Sequence, residues 1–187
     1  MASRAFATGI SWLGGGEPAP ERSAETAQPL NYAIKTAIRD PGARHYRFNR
    51  QKTMYGGKQV AAGDTIYLFA SENEGGTGLI ARGVVTAASA VARIAGVERQ
   101  TPRVSIQVRR TATARRPLGR EDLKGFRDWK DGRPETELNF KYYRQATNKI
   151  VAISDEAAAF LERCFSSRPT AARRRSRATR RASVPPR

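Results

Sequence analysis

The stretch that most constrains this chain runs from Gly63 to Thr86. A Gly-Asp turn pair leads into the apolar run Ile66–Ala70, eight polar or glycine residues follow, and a second apolar run covers Leu79 to Val85. β-Branched and aromatic residues on both sides of a glycine-rich connector indicate two antiparallel strands and their loop. Because both runs are apolar at nearly every position, both faces of the pair should be covered, as in central strands. The pair therefore predicts the middle of a small, closed or half-closed β-sheet.

Further elements are predicted on both sides of this pair. The segments with strand character are Asn31–Ile38, Arg103–Thr111 and Ile150–Ile153. Gly119–Trp129 carries Leu, Phe and Trp at helical spacing, whereas Val91–Gln100 is compatible with either a helix or a loop. Ser154 is a good N-cap for a final helix that ends near Ser166. The aromatic segment Glu137–Arg144 is predicted to be extended or loop-like.

The length of 187 residues allows one domain of ordinary size with tails. We expect a flexible leader at residues 1–30, a folded domain at 31–167 and a disordered, arginine-rich tail at 168–187. The apolar fraction of 39% is enough for one core. No apolar run approaches the ~18 residues of a membrane span, so a membrane is not an expected partner.

Cysteine and histidine are scarce in this sequence. Cys164 is the only cysteine and His45 the only histidine. This scarcity excludes an internal disulfide framework and leaves almost no way to build a zinc site. We therefore predict no metal and no cofactor, and a reducing, cytoplasmic location. Cys164 on the final helix is most simply a small core residue.

The net charge points to a polyanionic partner. The formal charge is +17 and the isoelectric point is about 11.1. Residues 168–187 hold eight arginines and no acid, so +9 (17 − 8) remains on residues 1–167. A basic body together with a basic tail favours nucleic acid as the partner. The alternative is a composition rich in arginine throughout, since patches rather than totals indicate binding.

The segment Arg44–Lys52 interleaves basic residues with Tyr46 and Phe48. Aromatic rings can stack on bases while guanidinium groups contact phosphates, so this pattern suits a nucleic-acid surface. The equal alternative is a solvated loop whose two aromatic side chains turn into the core.

No stretch of the sequence requires catalysis. Residues 76–81 match the glycine pattern of dinucleotide-binding proteins, which needs a strand end directly before it and a helix directly after it. Here the strand ends near Ala70 and Gly83–Val85 has strand character, so a hairpin is favoured. Four acids cluster around a turn, namely Asp128, Asp131, Glu135 and Glu137. Paired carboxylates can perform acid–base chemistry, but a solvated turn is the favoured interpretation.

Three segments carry a family resemblance that covers residues 31–165. The first has two parts. Gly63–Ser71 is a Gly-Asp pair followed by an aromatic-rich strand that ends in Ser, and Gly78–Val85 is a strand that contains Gly and Val. The second is Ala43–Tyr46, and the third is Arg144–Ile150 before the final helix. Together they resemble the EVE domains of the PUA-like superfamily, whose relatives include ASCH and YTH domains. The chain departs from the EVE pattern at four places. Asn31-Tyr32 stands where the family begins with Tyr-Trp, Asp40–Gly42 where it has a Trp, His45 where it has Asn, and Ala70 where it has His before Ser.

The resemblance implies an α+β fold, a PUA-like mixed or antiparallel β-barrel with flanking short helices. It also implies nucleic-acid binding, with a modified base held in a pocket at the barrel mouth. The residues predicted for the base are Tyr32 and Trp129 for stacking, and Asn31, His45 and Ser71 for the base edge. Those predicted for phosphate are Arg44, Arg47 and Arg144, with the tail arginines Arg173, Arg174, Arg175, Arg177, Arg180 and Arg181.

Each predicted site residue has a simpler interpretation. The two stacking residues could equally be core residues, Ser71 could be a loop cap, and the arginines could be solvated. Two other functions also stay open, although a non-enzyme is favoured. One is a hydrolase that acts on a modified nucleoside, and the other is a module that binds a ribosome or an acidic protein through its basic tail.

Overall fold

In the part of the chain that the structure describes, six β-strands close into a barrel with three helices on one side. The computed structural model describes residues 29–144 and 148–166. The strands are β1 Asn31–Thr36, β2 His45–Met54, β3 Thr65–Ala70, β4 Gly78–Ala90, β5 Arg103–Thr113 and β6 Lys149–Ala152. The helices are α1 Arg120–Leu123, α2 Pro134–Tyr142 and α3 Asp155–Glu162, with 3-10 turns at Gly57–Gln59 and Glu72–Glu74.

The order of strands around the barrel is β1-β3-β4-β5-β2-β6. β1 runs parallel to β3, β6 runs antiparallel to β1 and parallel to β2, and the remaining neighbours are antiparallel. The predicted mixed barrel with flanking short helices is therefore confirmed. The strand pair β3 and β4, predicted from the apolar runs between Gly63 and Thr86, is antiparallel as predicted. Thr65 lies opposite Val84 and Ala70 opposite Gly78.

Two apolar clusters lie on the two sides of the barrel wall, because successive side chains of a strand point to opposite faces. The inner cluster fills the barrel with residues that include Tyr32, Ile34, Phe48, Ile66, Leu68, Val104, Ile106, Val108 and Ile150. The outer cluster joins the helices to the other face of β1, β3 and β6, and includes Ala33, Tyr67, Phe69, Val151, Leu123, Leu138 and Leu161. The helices therefore cover one side of the barrel, where the outward side chains are apolar.

The basic and aromatic segment predicted at Arg44–Lys52 is a strand rather than a loop. Tyr46 and Phe48 are 8% and 7% exposed, and their rings stack on each other inside the barrel at 5.9 Å between centroids. The Tyr46 hydroxyl donates to the carbonyl of Pro41 at 2.7 Å. These rings are thus part of the core and do not face a ligand, as the alternative interpretation held.

Helix α2 corrects the prediction of an extended segment at Glu137–Arg144. Pro134 occupies the first turn, where its missing N–H has no cost. Leu138 and Tyr142, four residues apart, are both buried against the barrel. The aromatic content suggested a strand, but the spacing of these two residues is that of a helix.

The region predicted as a helix at Gly119–Trp129 is helical only over α1. Leu123 is fully buried, and Gly125, a poor helix former, lies two residues after it. Val91–Gln100 is a loop. Within residues 29–144 and 148–166, no helix is long and apolar enough to cross a membrane.

The final helix begins as predicted. Ser154 caps α3, since its Oγ accepts a hydrogen bond from the N–H of Ala157 at 3.1 Å. The same hydroxyl donates to the Glu137 carboxylate at 2.6 Å, and the Ser154 N–H donates to it at 3.0 Å. Lys141 Nζ lies 2.8 Å from Glu137 Oε1. Burial alone would raise the pKa of Glu137, but these hydrogen bonds outweigh burial and lower the pKa.

Glu137→Gln should destabilise the fold at neutral pH by about 1.5–3 kcal/mol, because it removes charge-assisted hydrogen bonds that link α2 to α3. A carboxylate with a lowered folded pKa contributes fully above its unfolded pKa of about 4.3, and the contribution disappears as the pH falls through the folded pKa. The difference from wild type in urea unfolding should therefore shrink between about pH 5 and pH 3.

The matched control is Glu135→Gln in the same helix, since Glu135 forms no side-chain hydrogen bond or ion pair with any described residue. It should change stability by less than about 0.5 kcal/mol. A Glu137→Gln effect that stays constant down to pH 3 would contradict the assigned ion pair.

Candidate nucleic-acid interface

The strands β2 and β5 form the side of the barrel that the helices leave bare. Their outward side chains alternate with the core residues and are exposed, among them His45, Arg47, Lys52, Arg103, Gln107 and Arg109. The pairing places His45 beside Arg109 and Lys52 beside Arg103. Neither strand contains an acidic residue. We call this surface, the outward side of β2 and β5, the basic face.

Charge is divided unequally between two segments of the chain. Residues 43–118 hold 13 Lys and Arg against four Asp and Glu, a net charge of +9. The described residues within 119–166, which contain the helices, hold nine of each and are neutral. Part of this excess meets the helices, since Arg82 pairs with Glu162 of α3 and Arg116 donates to the Arg163 carbonyl. The outward positions of β2 and β5 add basic residues and no acidic one.

A β-bulge interrupts β2 at the edge of the basic face. The register with β5 shifts between Phe48 and Gln51, and Arg50 adopts a left-handed conformation with φ of 52°. The Arg50 N–H donates to Ser105 Oγ at 3.0 Å, and Arg103 donates to the Arg50 carbonyl at 2.7 Å. A non-glycine residue in this region costs about 1–3 kcal/mol and persists only where its surroundings hold it. Bulges of this kind redirect side chains, often beside binding sites.

A polar cavity of about 810 Å³ lies above the short strand β6. β6 pairs with β2 only along Lys52–Met54, so a gap remains between the end of β1 and the bulge of β2. The residues that line this cavity are Thr36, Asn49, Arg50, Gln51, Lys52, Ile94, Arg103 and Asn148. We call it the mouth cavity. Its side chains carry amide, hydroxyl and cationic groups, which can hydrogen-bond the edge of a base.

A second cavity of about 740 Å³ lies beside the mouth cavity, and the two share Arg50, Ile94 and Arg103 as a common wall. It is formed against the loop between β4 and β5, and we call it the loop cavity. Its apolar wall contains Ala90, Val91, Ile94, Pro102 and Val104. Its cations are Arg50, Lys58, Arg93, Arg99 and Arg103, and none of its lining residues in the described part of the chain is acidic. Both cavities therefore suit ligands that combine a flat or apolar body with negative charge.

Three of the predicted base-binding residues lie away from both cavities. Tyr32 is completely buried inside the barrel, so its ring presents no face to a ligand. Asn31 donates to Asp155 at 2.9 Å at the opposite end of β1. Ser71 is 1% exposed, and its carbonyl accepts from the N–H groups of Glu74 and Gly76, as expected for a loop cap. Core packing and turn geometry account for these three residues.

The remaining predicted residues within the described ranges are exposed, and none of them lines either cavity. Arg44, His45 and Arg47 lie at the start of β2, and the carbonyl of Arg44 accepts from the N–H of Arg110 on β5. Trp129 is 58% exposed but lies on the helical side, with its ring 4.1 Å from that of Phe140. Their roles as ligands stay predictions. Arg144 is also exposed, and the six tail arginines lie outside the described residues.

A buried lysine, Lys35, lies near the C-terminal end of β1 with a carboxylate and an aromatic ring around its amine. Lys35 is 0% exposed, its Nζ lies 2.6 Å from Glu72 Oε2, and it sits 3.8 Å above the Tyr143 ring. Tyr143 also donates to Glu72 at 2.6 Å. Burial lowers the pKa of Lys35, and the hydrogen bond to Glu72 only partly opposes this shift. Because Lys35 faces the helices and lines neither cavity, we interpret the cluster as a structural link between β1 and α2.

The acidic cluster around the turn and the single cysteine both have structural roles. Asp128 and Asp131 accept backbone N–H groups of Lys130 and Arg133 at 3.0 and 2.9 Å, so they shape a turn. Cys164 is buried, and burial raises the pKa of its thiol. No group of three or more His, Cys, Asp or Glu residues in the described ranges is placed to hold a metal ion.

Known proteins share the fold of this chain but little of its sequence. No protein-family model matches the sequence, and no curated protein matches it. The DUF55 domain of human thymocyte nuclear protein 1 has a TM-score of 0.50 and 11% identity, over 70% of this chain and 95% of that chain. At this identity the similarity establishes the fold, and the PUA-like barrel implied by the EVE resemblance is confirmed at that level.

Two further solved structures align less well. Human THYN1 protein in complex with DNA that contains 5-methylcytosine has a TM-score of 0.43 and 11% identity, over 74% of this chain and 99% of that chain. A mutant of the ZmASCH protein from Zymomonas mobilis has a TM-score of 0.43 and 12% identity, over 73% of this chain and 99% of that chain.

Proposed function

We propose that this PUA-like barrel binds nucleic acid, contacts phosphates through the basic face, and receives one modified base in the mouth cavity. The observation that carries the proposal is the division of charge. Residues 43–118, which include the bare strand pair β2–β5, carry a net charge of +9, whereas the described residues within 119–166, which include the helices, are neutral. A surface with one sign of charge attracts a polyanion and orients it, which a uniformly basic protein would not do.

The mouth cavity has the size and chemistry of a base pocket. Ligand pockets typically enclose about 300–1,000 Å³, and this cavity encloses about 810 Å³. Thr36, Asn49, Gln51 and Asn148 contribute hydroxyl and amide groups to its wall. Such groups can read the donors and acceptors of a base edge, as in proteins that bind unpaired bases.

Stacking in this pocket would come from guanidinium planes. None of the described residues that line either cavity is aromatic. Arg50 and Arg103 line both cavities, and the hydrogen bond between them fixes part of that wall. Planar guanidinium groups stack on bases in the same way as aromatic rings while they also neutralise phosphate. This arrangement replaces the stacking role that the sequence suggested for Tyr32.

The position of the charges can be tested separately from their number. Affinity for duplex DNA falls as salt rises, so the logarithm of the association constant has a negative slope against the logarithm of the salt concentration. Replacing Arg47 and Arg109 together by Gln should make this slope shallower by about 2, since two phosphate contacts are lost. The control pair Lys130→Gln with Arg133→Gln removes the same charge from the helical side and should leave the slope almost unchanged. Equal losses in the two double variants would mean that net charge alone attracts the ligand.

Recognition of a base can be tested with single-stranded oligonucleotides that differ in one methylated cytosine or one methylated adenine. Wild type should prefer one modified strand by about tenfold at fixed salt, and Gln51→Met should abolish that preference while it leaves binding to unmodified duplex unchanged. Gln107→Met on the basic face, outside both cavities, is the matched control. If no modification changes the affinity of wild type by even a few-fold, the function is general nucleic-acid binding.

A further inference from the structure

An exposed isoleucine stands where the two cavities meet. Ile94 lines both the mouth cavity and the loop cavity, and yet it is 59% exposed. It is among the most exposed large apolar residues of the described chain, together with Trp129. Its side chain belongs to the apolar wall of the loop cavity and stays accessible there, so it is placed to contact a ligand that enters either cavity.

The backbone of Ile94 is held in place by one side chain. Gln100 accepts from the Ile94 N–H at 2.8 Å and donates to the Ile94 carbonyl at 2.7 Å. The same amide also donates to the carbonyl of Val97 at 2.7 Å, and Arg93 donates to the carbonyl of Glu98 at 2.9 Å. These bonds close the loop on itself, so the tip that carries Ile94 is positioned before a ligand binds.

Cations surround this apolar tip on both sides. Arg50 and Arg103 form the common wall below it, and Arg93 and Arg99 belong to the loop itself. A phosphate that joins two nucleotides could lie on the shared arginines while each base enters a different cavity. The polar mouth cavity suits a base read by its edge, and the more apolar loop cavity suits a base held by its faces.

We propose that Ile94 is an apolar wedge that separates two consecutive bases of an unpaired strand, one base in each cavity. The inference rests on the proposed function and deepens it, because it assigns the ligand class as a single-stranded segment of at least two nucleotides. Separating stacked bases removes contacts between their faces, and an inserted apolar side chain replaces part of those contacts. Isoleucine serves here because it fills the space between bases without a polar group that would need a partner.

The test uses single strands of DNA and RNA with 2-aminopurine at one central position, whose fluorescence is low when stacked and rises on unstacking. Wild type should raise the fluorescence on binding either strand, or only the one that it accepts. Ile94→Ala should bind about tenfold more weakly and should lose most of the fluorescence rise. The control is Val97→Ala, which truncates a 47% exposed residue of the same loop that lines neither cavity. Val97→Ala should behave as wild type.

The outcomes separate the wedge from the proposed function. If wild type binds the strands with a normal salt dependence but the fluorescence does not rise, or if Ile94→Ala equals wild type, the wedge is wrong and nucleic-acid binding stands. If wild type binds none of the strands at low salt, both proposals are wrong. A rise on fully paired duplex equal to that on single strands would also overturn the assignment of an unpaired ligand.

Discussion

Closure of the barrel by β6 is the constraint on which the rest of the structure depends. This strand of four residues joins β1 on one side and β2 on the other, and without it the sheet would have two open edges. Ile150 and Val151 are both completely buried, one inside the barrel and one beneath the helices. Gly57 approaches so closely that a Cβ at this position would lie 2.2 Å from the Ile150 carbonyl oxygen. Strand β6 is thus held by both neighbouring strands, by the core on each face and by Gly57. Because β6 is short, it leaves the gap between β1 and β2 that forms the mouth cavity.

The residues that point outward from each strand decide which side of the barrel is covered. On β1, β3 and β6 they include Ala33, Tyr67, Phe69 and Val151, and the three helices bury them. On β2 and β5 the outward positions are mostly basic or polar, and no helix could pack there without burying unpaired charge. The same alternation of side chains therefore produces a structural side and a binding side. The bulge at Arg50 then turns part of the binding side toward the cavities.

The fold was more predictable from the sequence than the site. The strand pair β3–β4, the alternating strand β5 and the Ser154 cap each depend on neighbouring residues, so local patterns were enough to find them. The mouth cavity joins Thr36, the bulge of β2 and Asn148, which are distant in sequence and meet only after closure. The bulge of β2 left no signal in the sequence. The register shifts between Phe48 and Gln51, but the buried residue that follows is the polar Thr53, so the apolar pattern does not show the change of phase.

The most direct measurement of the central claim, that β2, β5 and their loop form the nucleic-acid surface, is a lysine-modification footprint with and without a bound oligonucleotide. Lys52 and Lys58 line the cavities, whereas Lys124 and Lys130 are exposed on the neutral helical side. We predict that the oligonucleotide protects Lys52 and Lys58 from acetylation and leaves Lys124 and Lys130 as reactive as in the free protein. Protection of Lys124 and Lys130 without protection of Lys52 and Lys58 would contradict the account.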